Sequence, residues 1–535
     1  MTQLVSTLKA GLASAYRTSR TVAGELIAAD EGEYLSDRRL NLMVRLYLFS
    51  LFVVLTALSW DMGLHADDYW VISEMHARSV PDYFDYFLNQ VNSRYTIVGI
   101  NSFFVKLFYV AGDPFNHSFI RIEKIGGFMA HLFACWLLFL SLRRMGVPRI
   151  GVFIAFPLMA LPTYGWEGFL WNSAVLGYSF GFLFFMTAVY AFTRGWTLLF
   201  GLATFLAMGA TEYILAPSFV LGIILAIRKW RALRGTSFRR RAARTVLELV
   251  TALAPFVLWA VISFGTDALA ARSATVNHNK SMLITEDPWQ WVITFFERYS
   301  IGMQPYEWVR EKWYVVPSVI ALGVIAAPGW RNRLVALFAA GFYFASIAPM
   351  AAVGYNFLNA QLDGIILRSS RLFYFPGIFY CVALAVAVAF ILLRAQMLLS
   401  KWSVFAVARR RAVRWAATGA MLAYVGGVTG YYVHDVKTLA KGSEDAFGCL
   451  QGFVETIYEE TKGVPPKMVS VCGLPPIVGH SPIFRGPYSG PYSLGLKYGL
   501  HRRIPLRRHF RCPRTMEMNF DHPQCKYRAA YRIQK

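Results

Sequence analysis

Two adjacent carboxylates, Asp67 and Asp68, follow directly after the first long apolar run of the sequence. Charged groups are costly to hold near hydrocarbon, so an acidic pair at this point indicates a functional role. A carboxylate there can take the proton of an attacking hydroxyl, or hold a divalent cation beside a phosphate. Asp is also a good helix N-cap, so the pair can instead begin the next helix, and the motif alone leaves both interpretations open.

Two cations, Arg368 and Arg371, occur in the segment 367–374 just before another apolar run. Residues three apart lie on one side of a helix, where two guanidinium groups can form charge-assisted hydrogen bonds to a phosphate. The alternative is that both side chains anchor the helix end by snorkelling to the membrane surface.

Polar and aromatic side chains also stand at the ends of other apolar runs. Glu167 and Trp171 occur together in the segment 165–172, Tyr178 follows in the next apolar run, and Glu212 lies between two short runs. A single glutamate at a membrane surface usually has a structural role. Two glutamates on the side that carries the acidic pair favour a shared site.

These groups have to be positioned by transmembrane helices, because the composition excludes a water-soluble enzyme and a disordered chain. Charged residues make up only 16% of the 535 residues, against about 25% in soluble domains. Uncharged runs of span length recur along 43–433, without the roughly ten-residue alternation of a membrane β-barrel. We therefore predict an all-α polytopic membrane protein with about 11 transmembrane helices. The predicted spans fall near 43–63, 125–142, 150–164, 173–193, 196–211, 213–228, 246–265, 313–328, 333–353, 373–393 and 414–433.

The placement of basic residues predicts the orientation of these spans. The net charge is +23, and basic clusters without acidic residues occupy short loops such as 228–244 and 394–414. Such loops lie on the cytoplasmic side, so we assign the charge to membrane orientation rather than to nucleic-acid binding. The N-terminal segment 1–42 is then cytoplasmic, and it lacks the features of a removable signal peptide. The first outer loop (64–124) and the tail (434–535) lie outside.

The tail is expected to be a small extracytoplasmic domain stapled by disulfides. It contains four of the six cysteines, Cys449, Cys472, Cys512 and Cys525. Four cysteines permit three pairings, between which the sequence does not choose. Their spacing lacks the paired C-x-x-C of a zinc site, which favours disulfides. The basic tail either binds an anionic acceptor or forms a lid over the membrane domain.

The acidic pair at the start of the first outer loop resembles a motif of the GT-C superfamily, the membrane glycosyltransferases that use polyprenyl-phosphate-linked sugars. Within this superfamily, the sequence is most similar to bacterial families related to O-antigen-modifying glucosyltransferases. Asn92-Ser93-Arg94 resembles a small-residue–Arg step in the same loop. Glu167…Trp171…Tyr178 and the Gly-x-x-Glu that ends at Glu212 resemble later outer-face motifs of the family. The tail has no counterpart in these proteins.

This resemblance implies a glycosyltransferase of the bacterial inner membrane. Asp67 or Asp68 would deprotonate an acceptor hydroxyl, while Arg368 and Arg371 would neutralise the departing phosphate. The partners would be a polyprenyl-phosphate-linked sugar and a cell-envelope glycan or glycolipid such as lipopolysaccharide. A divalent cation is an open alternative, because adjacent carboxylates that face a phosphate favour hard cations. The sequence does not require one, since no His-x-x-x-His or comparable ligand set occurs. The residues assigned to sugar or acceptor binding are Arg94, Glu167, Trp171, Tyr178 and Glu212.

A transporter or flippase for a lipid-linked saccharide is the second hypothesis. Transporters carry ionisable residues near the middle of the bilayer and often have internally repeated halves. The charged residues of this sequence cluster at the ends of apolar runs, and its first half does not match its second. The sequence therefore favours the enzyme over the flippase.

Overall fold

A computed structural model of the chain describes residues 37–64, 68–86, 95–110, 113–148, 157–161, 170, 172–211, 214–264, 314–353, 374–399, 407–472, 489–500, 502–509, 518–521 and 528–534. Within these residues the chain is mostly helical, with one small sheet near its C-terminal end.

Fourteen helices and four strands are present in the described ranges. The helices are α1 (Asp37–Leu58), α2 (Asp68–Ala77), α3 (Val80–Tyr86), α4 (Tyr95–Phe108), α5 (His117–Met145), α6 (Asn172–Arg194), α7 (Thr197–Met208), α8 (Leu215–Ala232), α9 (Phe238–Phe264), α10 (Val315–Ala326), α11 (Gly329–Val353), α12 (Tyr374–Leu399), α13 (Val407–Glu460) and α14 (Ser489–Lys497). The strands are β1 (Met468–Cys472), β2 (Leu506–His509), β3 (Met518–Asp521) and β4 (Arg528–Gln534).

Five described helices are long and apolar enough to cross a membrane, so the class of helical membrane protein is confirmed. The predicted count of about 11 spans is not met and is wrong by this criterion. The five apolar stretches are Asn41–Leu58, His117–Met145, Val175–Arg194, Phe238–Ile262 and Gly377–Ala395.

The predicted count was too high because an apolar composition does not determine the length of a helix. Helices α7 and α10 contain 12 residues each, which is about 18 Å of helix, less than the roughly 30 Å of a hydrocarbon core. Helix α8 carries Arg228, Lys229 and Arg231 within its 18 residues. The predicted span 150–164 lies mostly outside the described residues.

Helix α5 has defined ends, and it is long enough to extend beyond a bilayer core. It begins after Asn116, whose side chain accepts a hydrogen bond from the Phe119 amide at 3.1 Å, as in an N-cap. It ends at Gly146, whose left-handed conformation (φ 86°) lets its N–H bond to the carbonyls of Arg143 and Leu142, a common C-cap. Its 29 residues extend about 43 Å.

The larger hydrophobic core holds the long helices together. Phe182 of α6 and Tyr374 of α12 are fully buried and meet edge to face, with ring centroids 6.2 Å apart. The Tyr374 hydroxyl is 2.5 Å from Nδ1 of His131 on α5. Nε2 of His131 is 3.1 Å from the carbonyl oxygen of Met159, so Nε2 carries the proton and Nδ1 accepts from Tyr374. This hydrogen bond ties α12 to α5.

A second hydrophobic core joins the first outer loop to the tail. Its buried members come from α2, α3 and α4 and from α13, β1, α14 and β4. The ring centroid of Phe447, on α13, is 5.4 Å from that of Phe115 and 5.3 Å from that of His117. Burial of apolar surface is the dominant stabilising term in folding, so these segments form one folded unit. The tail and the first outer loop therefore lie at the same end of the helical bundle.

The tail contains a four-stranded sheet, which the sequence analysis did not predict. Its strand order is β2-β1-β4-β3, with β1 and β2 parallel and the other pairs antiparallel. Val469 and Val471 of β1 are fully buried, and Val471 pairs with Tyr531 of β4 in the second core. The sheet is therefore part of the unit that covers the first outer loop.

Helix α13 crosses the boundary that was predicted between the membrane domain and the tail. It has 54 residues, about 81 Å of helix, and no proline interrupts it. The predicted boundary between residues 433 and 434 falls inside this helix. The chain thus enters the second core without a linker.

Basic residues gather at the end of α5 opposite to the second core. The start of α5 contributes Phe119 to the second core, whereas its last turn contains Arg143 and Arg144. The guanidinium group of Arg331 lies there as well, since a Cβ on Gly146 would be 3.6 Å from its Nη2. Cations near helix C-termini are stabilised by the helix dipole. One helix length therefore separates the basic end from the end that carries the tail.

Helices α5 and α6 run in the same direction, so α6 also ends at the basic end. Near the start of α6, Val175 contacts Gly127 of α5. Later in both helices, the ring centroids of Phe182 and His131 are 5.5 Å apart. At the end of α6, the carbonyl of Phe192 accepts a hydrogen bond from Arg228 at 3.0 Å. The turn between α8 and α9 therefore lies at the basic end too.

Candidate functional site

Asp68, the first residue of α2, is a buried carboxylate. Its relative exposure is 1%, although Asp is almost never fully buried unless it is paired. Its place in the first turn lets the helix dipole stabilise its charge, which fits the helix-start role that the sequence left open. Burial adds a requirement that a surface cap does not have, because neighbouring groups must compensate the charge.

Asp68 shares a small pocket with a second carboxylate, that of Glu123. The pocket has a cavity volume of about 10 Å³, and Glu123 is 3% exposed. Its lining comes from three helices, α2, α4 and α5, and consists of Asp68, Val71, Ile72, Asn101, Val105 and Glu123. Ligand sites commonly measure roughly 300–1,000 Å³. The space between the described walls is therefore much smaller than a ligand site and would hold about one water molecule.

Lys124 brings a positive charge to the same site. It is 2% exposed, and its Nζ donates a hydrogen bond to the carbonyl oxygen of Leu170 at 3.0 Å. Burial opposes the charge of its ammonium group, and Asp68 and Glu123 both stabilise that charge electrostatically. Two carboxylates and one ammonium group are thus buried together, which leaves one net negative charge when all three are ionised.

Glu123 and Lys124 were missed as site residues because they were placed at the end of the first outer loop. In the structure they belong to α5, on the buried stripe that also contains Ile120 and Gly127. Residues three and four apart share one face of a helix. A charged pair inside an apolar stripe was therefore the available signal. It was overlooked because the predicted span was started after the last charged residue.

Tyr69 packs next to Asp68 and is excluded as the general base. It is fully buried, and its ring meets that of Phe115 edge to face at 6.2 Å. Burial and the negative charge of Asp68 raise the pKa of Tyr69 well above its usual value. The phenol therefore stays protonated at neutral pH, and the carboxylates are the groups that can accept a proton.

Tyr178, predicted to contact substrate, lies in the larger core on α6. It is 4% exposed, and its ring centroid is 5.7 Å from that of Tyr374 and 5.9 Å from that of Phe375. It is not among the residues that line the described pocket of Asp68. The substrate contact at Tyr178 stays a prediction.

The other predicted catalytic and binding residues lie outside the described residues, so the meeting of the acidic and basic pairs stays a prediction. These residues are Asp67, Arg94, Glu167, Trp171, Glu212, Arg368 and Arg371. One neighbouring position is described: Leu170 is fully buried, and its carbonyl accepts the hydrogen bond of Lys124. Leu170 therefore lies beside the carboxylate site.

Cysteine and acidic side chains can form disulfides or bind a metal ion. Cys449 on α13 and Cys472 at the end of β1 are both disulfide-bonded, while Cys512 and Cys525 lie outside the described residues. Within the described ranges, no group of three or more His, Cys, Asp or Glu side chains could hold a metal ion. The divalent cation stays an open alternative.

The arrangement can accept a proton from a hydroxyl group and can stabilise positive charge that develops beside it. Comparison with models of known protein families and with curated protein sequences gives no match for this chain. The chemistry of the pocket and the helical architecture that holds it are therefore the features that indicate a function.

Proposed function

We propose that the chain is a membrane glycosyltransferase that moves a sugar from a polyprenyl-phosphate carrier to a cell-envelope glycan or lipid. The observation that carries the proposal is the buried carboxylate of Asp68, which shares a pocket with Glu123 at one end of the helical bundle. A carboxylate kept in such a site at a membrane boundary is suited to general-base catalysis. The resemblance of the acidic pair to GT-C enzymes supports the same activity.

The proposed reaction is a single displacement at the anomeric carbon of the donor. Asp68, or its neighbour Asp67, accepts the proton of the acceptor hydroxyl, and the hydroxyl oxygen forms the new bond to the anomeric carbon. The bond from that carbon to the phosphate oxygen breaks, and its electron pair leaves with the carrier phosphate. Arg368 and Arg371 neutralise this phosphate. The anomeric configuration is inverted.

The remaining predicted residues have binding roles in this proposal. The sugar or the acceptor is bound by Arg94, Glu167, Trp171, Tyr178 and Glu212. The tail (434–535) either binds an anionic acceptor or closes over the site, since it packs on the loop that contains Asp68.

The asymmetric distribution of charge supports an extracytoplasmic site. The basic end of the bundle, with Arg143, Arg144 and Arg331, would face the cytoplasm by the positive-inside rule. The pocket and the tail would then face outward, and the disulfide-bonded Cys449 and Cys472 fit an oxidising compartment. In a bacterial inner membrane, the carrier lipid would present its sugar at this face.

Sugar transfer in vesicles that contain a radiolabelled polyprenyl-phosphate sugar tests the proposal. Asp68→Asn keeps the size of the side chain but removes the base, so we expect transfer to fall by about 10²–10⁴-fold. Asp85→Asn, at an exposed position of α3, is the matched control and should retain transfer. Undiminished transfer by a folded Asp68→Asn protein would contradict the proposal.

A flippase for a lipid-linked saccharide is the second candidate, and buried ionisable residues favour it. Glu123, Lys124 and His131 are each at most 3% exposed, and all three belong to the candidate span His117–Met145. Ionisable residues inside membrane segments often mark transport pathways. Translocation of the labelled lipid without sugar incorporation, surviving Asp68→Asn, would favour this function over the enzyme.

A further inference from the structure

Lys124 is the one lysine or arginine that is buried in the described part of the chain. Removing an ammonium group from water is costly, and replacing a buried ion pair by apolar residues of similar volume is often neutral or stabilising. Packing therefore does not explain a lysine here. Its Nζ has a defined partner, the carbonyl oxygen of Leu170 at 3.0 Å.

Among the described residues, the charged groups that interact electrostatically with Lys124 come from two helices. Helix α2 contributes Asp68, whose charge also acts on Tyr69, while α5 contributes Glu123. Helix α4 contributes an uncharged amide to the pocket. Helix α6, which also packs on α5, has Arg194 as its only charged residue, at its far, exposed end. The described surroundings of Lys124 therefore place two acids against one base.

Two carboxylates that share a pocket of low dielectric repel each other, and one of them takes up a proton unless a positive charge is near. An ammonium group close to both removes this tendency, because each carboxylate is stabilised in its ionised form. The same ammonium group can hold a backbone carbonyl in place through another of its three donors. Lys124 has the burial and the neighbours that both roles require.

We propose that Lys124 is a positioning residue that keeps Asp68 and Glu123 ionised together and holds Leu170 against the same site. This inference rests on the proposed function only where it concerns catalysis, since a protonated Asp68 cannot act as a base. The ionisation of the two carboxyl groups is a property of the pocket, and it can be measured without any substrate.

Infrared titration of the full-length protein in lipid nanodiscs is the direct test. A protonated carboxyl group absorbs apart from a carboxylate, so its band reports proton uptake between about pH 9 and about pH 5. In Lys124→Met we expect this band to appear at a pH at least one unit higher than in the wild type. Loss of the band in the Asp68→Asn or Glu123→Gln background assigns it to the pocket.

Three further variants make the test specific to Lys124. Lys124→Arg keeps the charge and should restore the wild-type titration, whereas Lys106→Met removes an exposed lysine of α4 that donates to the carbonyl of Arg78 and should leave it unchanged. Should Lys124→Met not fold, Glu123→Gln combined with Lys124→Met removes one charge of each sign. In that variant no second carboxylate repels Asp68, so we expect its carboxyl band to appear within about one pH unit of the wild-type pH.

Two outcomes would overturn the inference. One is a band at the wild-type pH in a folded Lys124→Met protein, and the other is an equal shift in Lys106→Met. In the transfer assay, the acidic limb of the pH–rate profile should move upward in Lys124→Met and return in Lys124→Arg. If the infrared shift occurs while Asp68→Asn still transfers sugar, the proposed function fails and the charge arrangement stands. If Asp68→Asn abolishes transfer without an infrared shift in Lys124→Met, only this inference fails.

Discussion

At the scale of single residues, the site is defined by charges that the fold has removed from water. Asp68 and Glu123 have exposures of 1% and 3%, and the ammonium group of Lys124 is buried with them. A surface cap would tolerate replacement by any small polar residue, but a buried carboxylate pair depends on its neighbours. The identity of each residue at this site therefore controls both ionisation and packing.

Tyr69 links the stability of this region to pH. Its pKa is raised by burial and by the charge of Asp68, so the folded state favours the protonated phenol. The contribution of Tyr69 to the free energy of unfolding is complete below about pH 10. It is lost as pH rises further, by up to about 1.4 kcal/mol per pH unit. In Tyr69→Phe we expect a smaller fall of the unfolding free energy between about pH 10 and about pH 11. Tyr314→Phe, at a residue 54% exposed, is the control and should show the same fall of the unfolding free energy as the wild type. An equal effect of both variants would refute the link between Tyr69 and pH-dependent stability.

At the scale of elements, the connection from α1 to α2 packs closely against α13 at Gly63. Gly63 lies against the ring of Phe447 on α13, and a Cβ built on Gly63 would be 1.8 Å from that ring. Only glycine fits at this distance without displacement of the ring. The tail therefore constrains the backbone five residues before Asp68.

Gly63→Ala is expected to destabilise this junction by about 1–3 kcal/mol, because Phe447 must move. Thermal unfolding in detergent, with hydrogen exchange of α2, measures the effect. Gly426→Ala on α13 is the control, since nothing lies within 4 Å of its Cβ position; alanine there should be neutral or slightly stabilising. Phe447→Leu should relieve the clash in the Gly63→Ala background. Equal stability of Gly63→Ala and the wild type would show that the contact is not close.

At the scale of the whole molecule, the tail and the first outer loop behave as one body, because they share the second core. The disulfides of Cys449 and Cys472 constrain this body, while Cys135 and Cys381 are buried in the bundle and form no disulfide. A disulfide typically contributes about 2–4 kcal/mol. Loss of the disulfides should therefore loosen the first outer loop as well as the tail.

Hydrogen exchange before and after reduction tests this coupling. We expect faster exchange in β1 and β4 and also in α2 and α4, with no change in the middle of α5 and α6. Cys449→Ser should reproduce the pattern without a reductant. Faster exchange confined to the tail would mean that the second core does not couple the two segments.

The two ends of the bundle should be distinguishable by a membrane-impermeant maleimide. Ser79→Cys and Lys462→Cys place thiols on exposed positions of the first outer loop and the tail, and Arg234→Cys places one on the turn after α8. In cells whose wall and outer membrane have been removed but whose inner membrane is intact, we expect Ser79→Cys and Lys462→Cys to be labelled. We expect Arg234→Cys to be labelled only after lysis. Labelling of all three, or of Ser79→Cys without Lys462→Cys, would contradict the arrangement.

Local sequence determined the class of the protein and several of its details. Long apolar runs can satisfy their backbone groups in a bilayer only as helices, so the helical membrane fold followed from composition. Asp68 was recognised because it stands beside an apolar run, and the tail cysteines because of their spacing. Basic clusters indicated one end of the bundle. All of these features could be recognised because each is a property of neighbouring residues in the chain.

Tertiary structure alone decided which charges meet. Glu123 belongs to the site because α5 turns it toward α2, whose Asp68 is more than 50 positions earlier in the chain. The shared core of tail and outer loop, the unbroken α13 and the lengths of α7 and α10 likewise arise from packing between distant segments. Hydropathy records how apolar each segment is, but the burial of a charge depends on the partners that the folded chain brings to it.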